Sequence, residues 1–268
     1  MIIALLLFLV LVPSLTQPAL AAEPVLFAAF DYGYSGPESV PAGVTTVEIV
    51  NQGQALHHAQ LIRLTRGKTA EDFQQALKTD PRVPDWALLL GGPNAVVPGE
   101  RARAIVNLVP GNYLVVCWIP DKDNTPHVAL GMAKPFKVRG KTQVSELPIG
   151  DVYVEEGDFS FAVPANIAPG HHVVRVRNNG AQPHELLLVQ LPPDGSIAEF
   201  GEAVAEGVDS PPPGKPIGGV TGLQPGSEAA FTVDLTPGKY GLICFFPDEE
   251  GALHFSRGMM TEITVPPK

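Results

Sequence analysis

Short, β-branched apolar runs dominate the hydrophobic pattern of this chain. Residues 44–50 (VTTVEIV) and 173–177 (VVRVR) are rich in valine, and the second run alternates apolar with charged positions. Further short apolar runs occupy residues 60–64, 103–108, 113–117, 186–191, 230–235 and 240–244. Runs of this length, separated by glycine, proline and polar residues, predict β-strands that are joined by turns.

Two segments interrupt this pattern with helical spacing. Thr69 precedes an acidic residue by three positions, as a helix N-cap does, and Ser196 with Glu199 forms a full capping box. Apolar residues four positions apart follow each cap, as Phe73 with Leu77 and as Phe200 with Val204. Such pairs lie on one face of a helix, so we predict one short helix after each cap.

The whole pattern occurs twice, at a constant offset of 127 residues. Asn51 recurs as Asn178, and the Pro-Gly turn at 110–111 recurs at 237–238. An internal repeat of this kind predicts a duplicated fold. We therefore expect an all-β chain of two tandem β-sandwich domains, each with one short helical insertion. The predicted boundaries are a signal peptide at 1–21, domains at 22–140 and 152–268, and a linker at 141–151.

The first residues are typical of a secretory signal peptide. Residues 2–12 form an apolar run that is broken by Pro13, and the segment Ala-Leu-Ala at 19–21 offers a small-residue cleavage site. The run is too short to cross a bilayer comfortably. We therefore expect a periplasmic or secreted protein without a membrane span in the mature chain. Because no Lys or Arg precedes the run, an uncleaved N-terminal anchor stays as the alternative.

Composition and charge narrow the classes of partner. Hydrophobic residues make up 45% of the 268 and charged residues 17%, which is typical of a folded globular protein. The 28 prolines and 27 glycines suit many short strands and turns. The formal net charge is −10, which excludes nucleic acid as an expected partner because phosphate binding needs a basic surface. It is compatible with redox protein partners that dock through a basic surface.

Four potential soft-metal ligands also recur at the same offset. The first set is His57, Cys117, His127 and Met132, and the second is His184, Cys244, His254 and Met259. Two imidazoles, one thiolate and a weak thioether form the ligand set of a mononuclear copper electron-transfer site. The bland alternatives are a single disulfide between the two cysteines and methionines that only fill the core. The remaining histidines, His58, His171 and His172, have no histidine counterpart, and we interpret them as structural.

These segments resemble those of plastocyanin-like cupredoxins. The resemblance rests on Asn51 to His57, Pro-Gly-Asn-Tyr before Cys117 and His-x-x-x-Gly-Met, and on the equivalent segments of the second half. It covers essentially the mature chain as two copies. It implies a Greek-key β-sandwich, one type 1 copper per domain and one-electron transfer, and it implies that Asn51 and Asn178 brace the ligand loop. Both halves depart from the family in having nine residues between Cys and the second His, and both inserts carry Pro-Asp at their third and fourth positions.

Three classes of function are compatible with these residues. The leading expectation is an electron-transfer protein that uses up to two coppers. Copper carriage or sequestration is the second class, because thiolate and thioether also hold Cu(I). The third is a two-domain copper enzyme of the nitrite reductase or multicopper oxidase type. Such enzymes need a histidine beside the copper-binding cysteine, whereas Trp118 and Phe245 follow the cysteines here. The expectation from sequence is therefore that the chain is not an enzyme.

Overall fold

The computed structural model describes residues 23–142, 146–207 and 212–267. The predicted signal peptide lies outside the described residues. None of the helices in the described segments has the length and the apolar character that crossing a bilayer requires. The described chain is mostly β-structure with two α-helices, so the prediction of an all-β fold with one helical insertion in each half is confirmed.

The first half contains strands and a helix in the following order along the chain. They are β1 (Val25–Phe30), β2 (Gly33–Ser35), β3 (Ser39–Pro41), β4 (Gly43–Asn51), β5 (Gln60–Leu64), α1 (Ala70–Thr79), β6 (Ala87–Leu89), β7 (Arg101–Leu108), β8 (Gly111–Val116) and β9 (Ala133–Arg139). The second half repeats this plan, except that none of its described strands corresponds to β3. Its elements are β10 (Val152–Gly157), β11 (Ser160–Ala162), β12 (Gly170–Asn178), β13 (His184–Leu191), α2 (Ile197–Glu206), β14 (Lys215–Leu223), β15 (Glu228–Leu235), β16 (Gly238–Ile243), a 3₁₀ turn (His254–Arg257) and β17 (Met260–Val265).

The described strands form three sheets. One sheet of eight strands, in the order β11-β10-β12-β15-β7-β4-β1-β2, runs through both halves. A five-stranded sheet (β3-β9-β8-β5-β6) packs on its first part, and a four-stranded sheet (β14-β13-β16-β17) packs on its second part. Each half is therefore a β-sandwich, and the cysteine follows a central strand of its smaller sheet, β8 or β16.

The two helices begin where their caps predict. The side chains of Thr69 and Ser196 accept the backbone N–H groups of Asp72 and Glu199, which return hydrogen bonds to the cap residues. Both helices therefore start with a complete capping box, including the one in which Asp72 replaces the usual Glu. Phe73 of α1 and its counterpart in α2 are fully buried against their sandwiches, so each helix covers one face of the smaller sheet.

The halves meet through equivalent segments that pair with each other. In the shared sheet, Ala104 of β7 lies opposite Phe231 of β15, its own counterpart 127 residues later. A second antiparallel contact joins residues 90–96 to β14, and there Pro93 lies opposite its counterpart Val220. Both registers are self-equivalent, as at the isologous interface of a two-fold symmetric dimer. The main apolar cluster includes residues of both halves, a continuity that the sequence analysis did not anticipate.

Candidate metal centres

The first predicted ligand set converges at one end of the first sandwich. His57, Cys117 and His127 are each fully buried, and one ligand atom of each lies within 4.8 Å of the others. The Cys117 Sγ atom is 3.5 Å from Nδ1 of His127 and 4.0 Å from Nδ1 of His57. Three donor atoms that are 60 and 10 residues apart in sequence are thus gathered in one buried place.

The second set converges in the same manner. His184, Cys244 and His254 are fully buried and again lie within 4.8 Å of one another. The two histidine Nδ1 atoms are 3.0 Å apart, and the Cys244 Sγ atom is 3.6 Å from Nδ1 of His254. Among the residues that the structure describes, these two groups are the ones with metal-binding geometry.

The two predicted axial methionines lie next to these groups. Met132 and Met259 are fully buried. The backbone N–H of Met132 donates to the carbonyl of His127, and its carbonyl accepts the N–H of Cys117. Met259 makes the same two contacts in its half, with His254 and Cys244. Each methionine is therefore held at the backbone between the cysteine and the second histidine.

The nine-residue insert does not displace the second histidine, because it folds back on itself. Pro120 pairs with Pro126 across the base of the insert, and the N–H of His127 donates to the carbonyl of Ile119. The side chain of Asp121 accepts the backbone N–H groups at positions 123 and 125, which closes the turn. Asp248 closes the other insert in the same way, so the repeated Pro-Asp pair is the structural device of this loop.

Asn51 and Asn178 brace the first-histidine loop, as the resemblance implied. The amide of Asn51 donates to the carbonyls of Ala55 and Val96, and its oxygen accepts the N–H of Gly53, all at 2.8–2.9 Å. Asn178 makes the equivalent three hydrogen bonds at the same distances. These contacts fix the turn from which the first histidine enters the site.

One aspartate completes each centre, and neither of the two was predicted from the sequence. The Nε2 atom of His57 lies 2.7 Å from Asp31 Oδ1, and that of His184 lies 2.9 Å from Asp158 Oδ1. The two aspartates are 127 residues apart, so the repeat itself carried the signal. Each carboxylate also accepts backbone N–H groups of the loop before the histidine.

The glycines of this loop make room for the aspartate. A Cβ atom on Gly53 would lie 2.4 Å from Asp31 Oδ1 and 2.6 Å from His57 Nε2. The corresponding distances at Gly180 are 2.4 and 2.5 Å. Real Cβ atoms do not approach other atoms so closely, and therefore only glycine at this position allows the carboxylate to reach the ring.

Burial favours the neutral form of the histidines, which is the form that can bind a metal. Burial lowers the pKa of His57, although Asp31 acts to raise it, and burial with the neighbouring ring lowers the pKa of His127 to about 4. His254 behaves like His127, with a pKa of about 4. The rings are thus neutral at pH 7. Because the carboxylate accepts a hydrogen bond from Nε2–H of the first histidine, the Nδ1 lone pair of that histidine faces the sulfur.

The thiols are held in an apolar environment. Burial raises the pKa of Cys117 to about 12, although backbone N–H groups of His58 and Ile119 act to lower it. Burial also raises the pKa of Cys244 well above its ordinary value, and the nearby charge of Glu185 acts in the same direction. Without a metal the thiols are therefore protonated, and metal binding must release one proton per site.

Each donor set fits a trigonally coordinated soft metal. Metal–nitrogen and metal–sulfur bonds of about 2.1 and 2.3 Å place the ligand atoms of a trigonal plane roughly 3.6–3.8 Å apart. The observed separations of 3.0–4.0 Å bracket these values. Two imidazoles and a thiolate with a methionine nearby are the type 1 copper combination. Each group can hold one metal ion, so the chain has room for two copper ions.

The bland alternatives have clear outcomes. In the described chain both cysteines are free, and each lies beside its own histidines, so the structure does not contain the disulfide. His58 is buried and accepts the N–H of Trp118, and His172 bonds to Asp151 and to a backbone carbonyl. His171 is exposed beside an aspartate. These three histidines lie outside both donor sets, in agreement with the structural interpretation.

The residues beneath the two centres differ. Position 58 is histidine in the first half, whereas its counterpart Glu185 is a buried carboxyl. Position 29 is alanine, whereas its counterpart Glu156 is fully buried, and its carboxyl oxygens have no hydrogen-bond partner among the described residues. Burial and the neighbouring carboxyl raise the pKa of Glu156 to about 8, and burial raises that of Glu185 to about 7. The duplicated sites therefore share ligands but not surroundings.

Comparison with known proteins gives structural matches alone. No family model matches the sequence, and no curated protein matches it. A dithionite-reduced auracyanin from Roseiflexus castenholzii is 23% identical over 43% of this chain and 95% of its own, with a TM-score of 0.31. Auracyanin B is 28% identical over 46% of this chain and 94% of its own, also with a TM-score of 0.31. A multicopper oxidase is 15% identical over 90% of this chain and 87% of its own, with a TM-score of 0.27.

One expectation needs correction. The sequence predicted that the chain is not an enzyme, because neither cysteine has a histidine neighbour. The matches that cover most of this chain include proteins named as oxidases, a laccase and a copper-containing nitrite reductase, and these are enzymes. The conclusion that the chain lacks catalytic activity therefore does not stand. Its structural neighbours are blue copper proteins and copper oxidases, and its two His–Cys–His groups fit two tandem cupredoxin-like domains.

Proposed function

We propose that this chain is an exported copper protein that transfers single electrons through a type 1 copper site in each half. One observation carries the proposal. In both halves two neutral imidazoles and one thiol meet within 4.8 Å in a fully buried place. The eight residues of the two predicted sets would hold the metal, with Met132 and Met259 as the weak thioether ligands. Copper bound there supplies the Cu(II)/Cu(I) couple.

The residues around each site favour rapid electron transfer over chemistry at an open metal. Complete burial of the ligands excludes water, and the hydrogen-bonded loops hold the ligands in one geometry. Asp31 and Asp158 keep the first histidine of each site in the tautomer that presents Nδ1. A rigid donor set that suits both oxidation states changes little when an electron arrives or leaves.

The proposal also includes export of the protein and its redox partners. The N-terminal apolar run supports export to the periplasm or the medium, and the net charge of −10 supports redox partners with a basic docking surface. Both points extend beyond the ligand geometry. Secretion of the mature chain and salt-sensitive reduction by a basic partner protein are the measurements that test them.

The central experiment is copper analysis combined with visible absorption. The copper-loaded protein should bind two coppers and show an intense thiolate-to-copper band. Cys117→Ala and Cys244→Ala should each remove one copper and about half of the band, because each site contributes one thiolate. His171→Ala serves as the matched control and should change neither quantity. A colourless copper-treated protein with two free thiols would refute the proposal.

Two further measurements separate the remaining classes. Fast reversible reduction by a small mediator supports electron transfer, whereas copper passing to a metal-free acceptor protein supports carriage. Turnover of nitrite or dioxygen, assayed on the same preparation, would assign the sites to an enzymatic reaction. Each result is compared with the two cysteine variants, so that an activity can be attributed to one site.

A further inference from the structure

Asn94 belongs to the first half and lies in the interface between the halves. Its side-chain amide donates hydrogen bonds to the second half. Asn94 is 2% exposed. Its Nδ2 donates to the side chain of Glu185 at 3.3 Å and to the carbonyls of Leu186 and Val220 at 3.1 and 3.2 Å. Its own backbone N–H donates to Gly219 of the second half. Asn94 therefore links the first half to the strand that carries His184.

On the second side, Glu185 accepts a hydrogen bond from Asn94 and also contacts the second metal centre directly. Glu185 follows His184 in sequence, and its backbone N–H lies 3.4 Å from the Cys244 Sγ atom. Its other carboxyl oxygen accepts the N–H of Phe245, the residue after the cysteine. One residue therefore connects Asn94 both to a ligand histidine and to the ligand sulfur.

On the first side, Asn94 belongs to a short extended segment that pairs with His57 through an isolated β-bridge. The N–H of Val96 donates to the carbonyl of His57 at 3.1 Å, and the N–H of His57 donates back at 3.4 Å. Ala95 joins Val96 to Asn94, and the Asn94 oxygen accepts the N–H of Ala95. Covalent and hydrogen bonds thus run without a gap from one ligand histidine to the other centre.

The pseudo-two-fold pairing of the halves explains why the path between the two centres is short. The difference between Asn94 and its counterpart makes this path asymmetric. The segments 90–96 and 217–223 pair across the axis, and each also pairs with the first-histidine segment of its own half. The counterpart of Asn94 is Thr221, whose hydroxyl donates to the carbonyl of Gly92. Among the hydrogen bonds of the described chain, Thr221 makes none to His58, which is the counterpart of Glu185.

We propose that the two metal sites exchange electrons within one chain, through the buried bridge formed by Val96, Asn94 and Glu185. This inference rests on the proposed function, because it needs copper in both sites. One electron leaves the reduced site, where Cu(I) becomes Cu(II), and arrives at the other, where Cu(II) becomes Cu(I). No bond is formed or broken, and no proton is needed. The chain then acts as a two-site relay, with one site able to accept while the other donates.

The test follows a single electron after rapid reduction. Reference spectra and reduction potentials of each site come from the Cys244→Ala and Cys117→Ala proteins. Substoichiometric pulse reduction of the two-copper protein should give a second phase whose rate is independent of protein concentration. Asn94→Thr, which places the residue of the second half at this position, is expected to slow this phase several-fold. Asn94→Leu is the second variant, which removes the amide while keeping its volume.

Controls distinguish the bridge from a structural effect. Glu100→Gln removes an exposed ion pair with Lys215 that also joins the two halves, and it should leave the phase unchanged. Both reduction potentials and the unfolding temperature of the metal-free protein are measured in every variant, so that driving force and stability are separated from electronic coupling.

The outcomes separate this inference from the proposed function. Two blue sites of different potential without a concentration-independent phase would overturn the relay and leave the proposed function intact. A phase that is unaffected in both Asn94 variants at unchanged potentials would overturn the bridge. Failure of either site to bind copper would count against the proposed function instead.

Discussion

Glu156→Gln should remove one contribution that makes the metal-free protein less stable as the pH rises. The Glu156 carboxyl is fully buried, and neither of its oxygens has a hydrogen-bond partner in the described chain. Burial, together with the nearby Glu185 carboxyl, raises its pKa from 4.5 to about 8. The folded protein therefore keeps a proton on Glu156 over a pH range in which the unfolded chain has lost it.

The sign and the size follow from proton linkage. Because the pKa is raised in the folded state, the stability is fully present below pH 4.5 and falls as the pH rises towards about 8. Each unit of difference corresponds to about 1.4 kcal/mol, so the loss due to Glu156 approaches roughly 5 kcal/mol above pH 8. Glu185 titrates in the same range and is coupled to Glu156, which makes the fall in the natural protein steeper.

Urea unfolding of the metal-free protein, measured between about pH 5 and pH 8, gives the required free energies. The glutamine variant carries a buried amide that costs about 1–3 kcal/mol at every pH, so the readout is the slope with pH and not the absolute stability. Glu155→Gln is the matched control, because Glu155 is the exposed neighbour on the opposite face of β10. The lowered histidine pKa values also make stability depend on pH, but they contribute equally to both proteins and cancel in the difference. If the difference in free energy of unfolding between Glu156→Gln and the natural protein is the same at pH 5 and pH 8, the reasoning is refuted.

Three further changes test the centres and the core. Asp31→Asn should lower the copper affinity of the first site by about 10- to 100-fold and raise its reduction potential, since a negative charge beside its histidine is lost; chelator competition and redox titration measure both, and an unchanged affinity would contradict the role of the carboxylate. Gly180→Ala would place a Cβ atom 2.4 Å from the Asp158 carboxylate, so we expect loss of the second site's absorption with the first site intact. Phe73→Ala should lower the free energy of unfolding by about 3–5 kcal/mol in urea titrations, because the side chain is fully buried under α1. A loss below about 1 kcal/mol would show that the helix contributes little to the core.

The parts of the molecule that the sequence predicted are those with local or repeated signals. The helix caps at Thr69 and Ser196 depend on residues three positions apart, and the structure confirms both. The ligand sets stood out because rare residue types recur at one offset. Asp31 recurs in the same way as Asp158, but aspartates are common in exposed turns. Its contact with a histidine 26 residues away depends on how the intervening strands β2, β3 and β4 fold.

The parts that the sequence did not predict depend on which surfaces face each other. Nothing in the strand patterns of β7 and β15 indicates that they pair with each other across the two halves. Glu156 is different, because the alternation of Val152, Val154 and Glu156 in β10 places the carboxyl on the inner face. That alternation was visible in the sequence. A buried carboxyl is so uncommon, however, that an inward position for it is hard to predict without the packed structure.

The self-equivalent pairing of the halves has a consequence for chain architecture. Two separate copies of one half would have to associate at a rate and an equilibrium set by their concentration, and both would carry the same residue at every position. A peptide tether makes the association intramolecular, so it persists however dilute the protein becomes. It also allows the two copies to differ, so that Glu156 occupies the position equivalent to Ala29, and Thr221 the position equivalent to Asn94. The tether thus turns a symmetric pair into a molecule with two distinguishable ends.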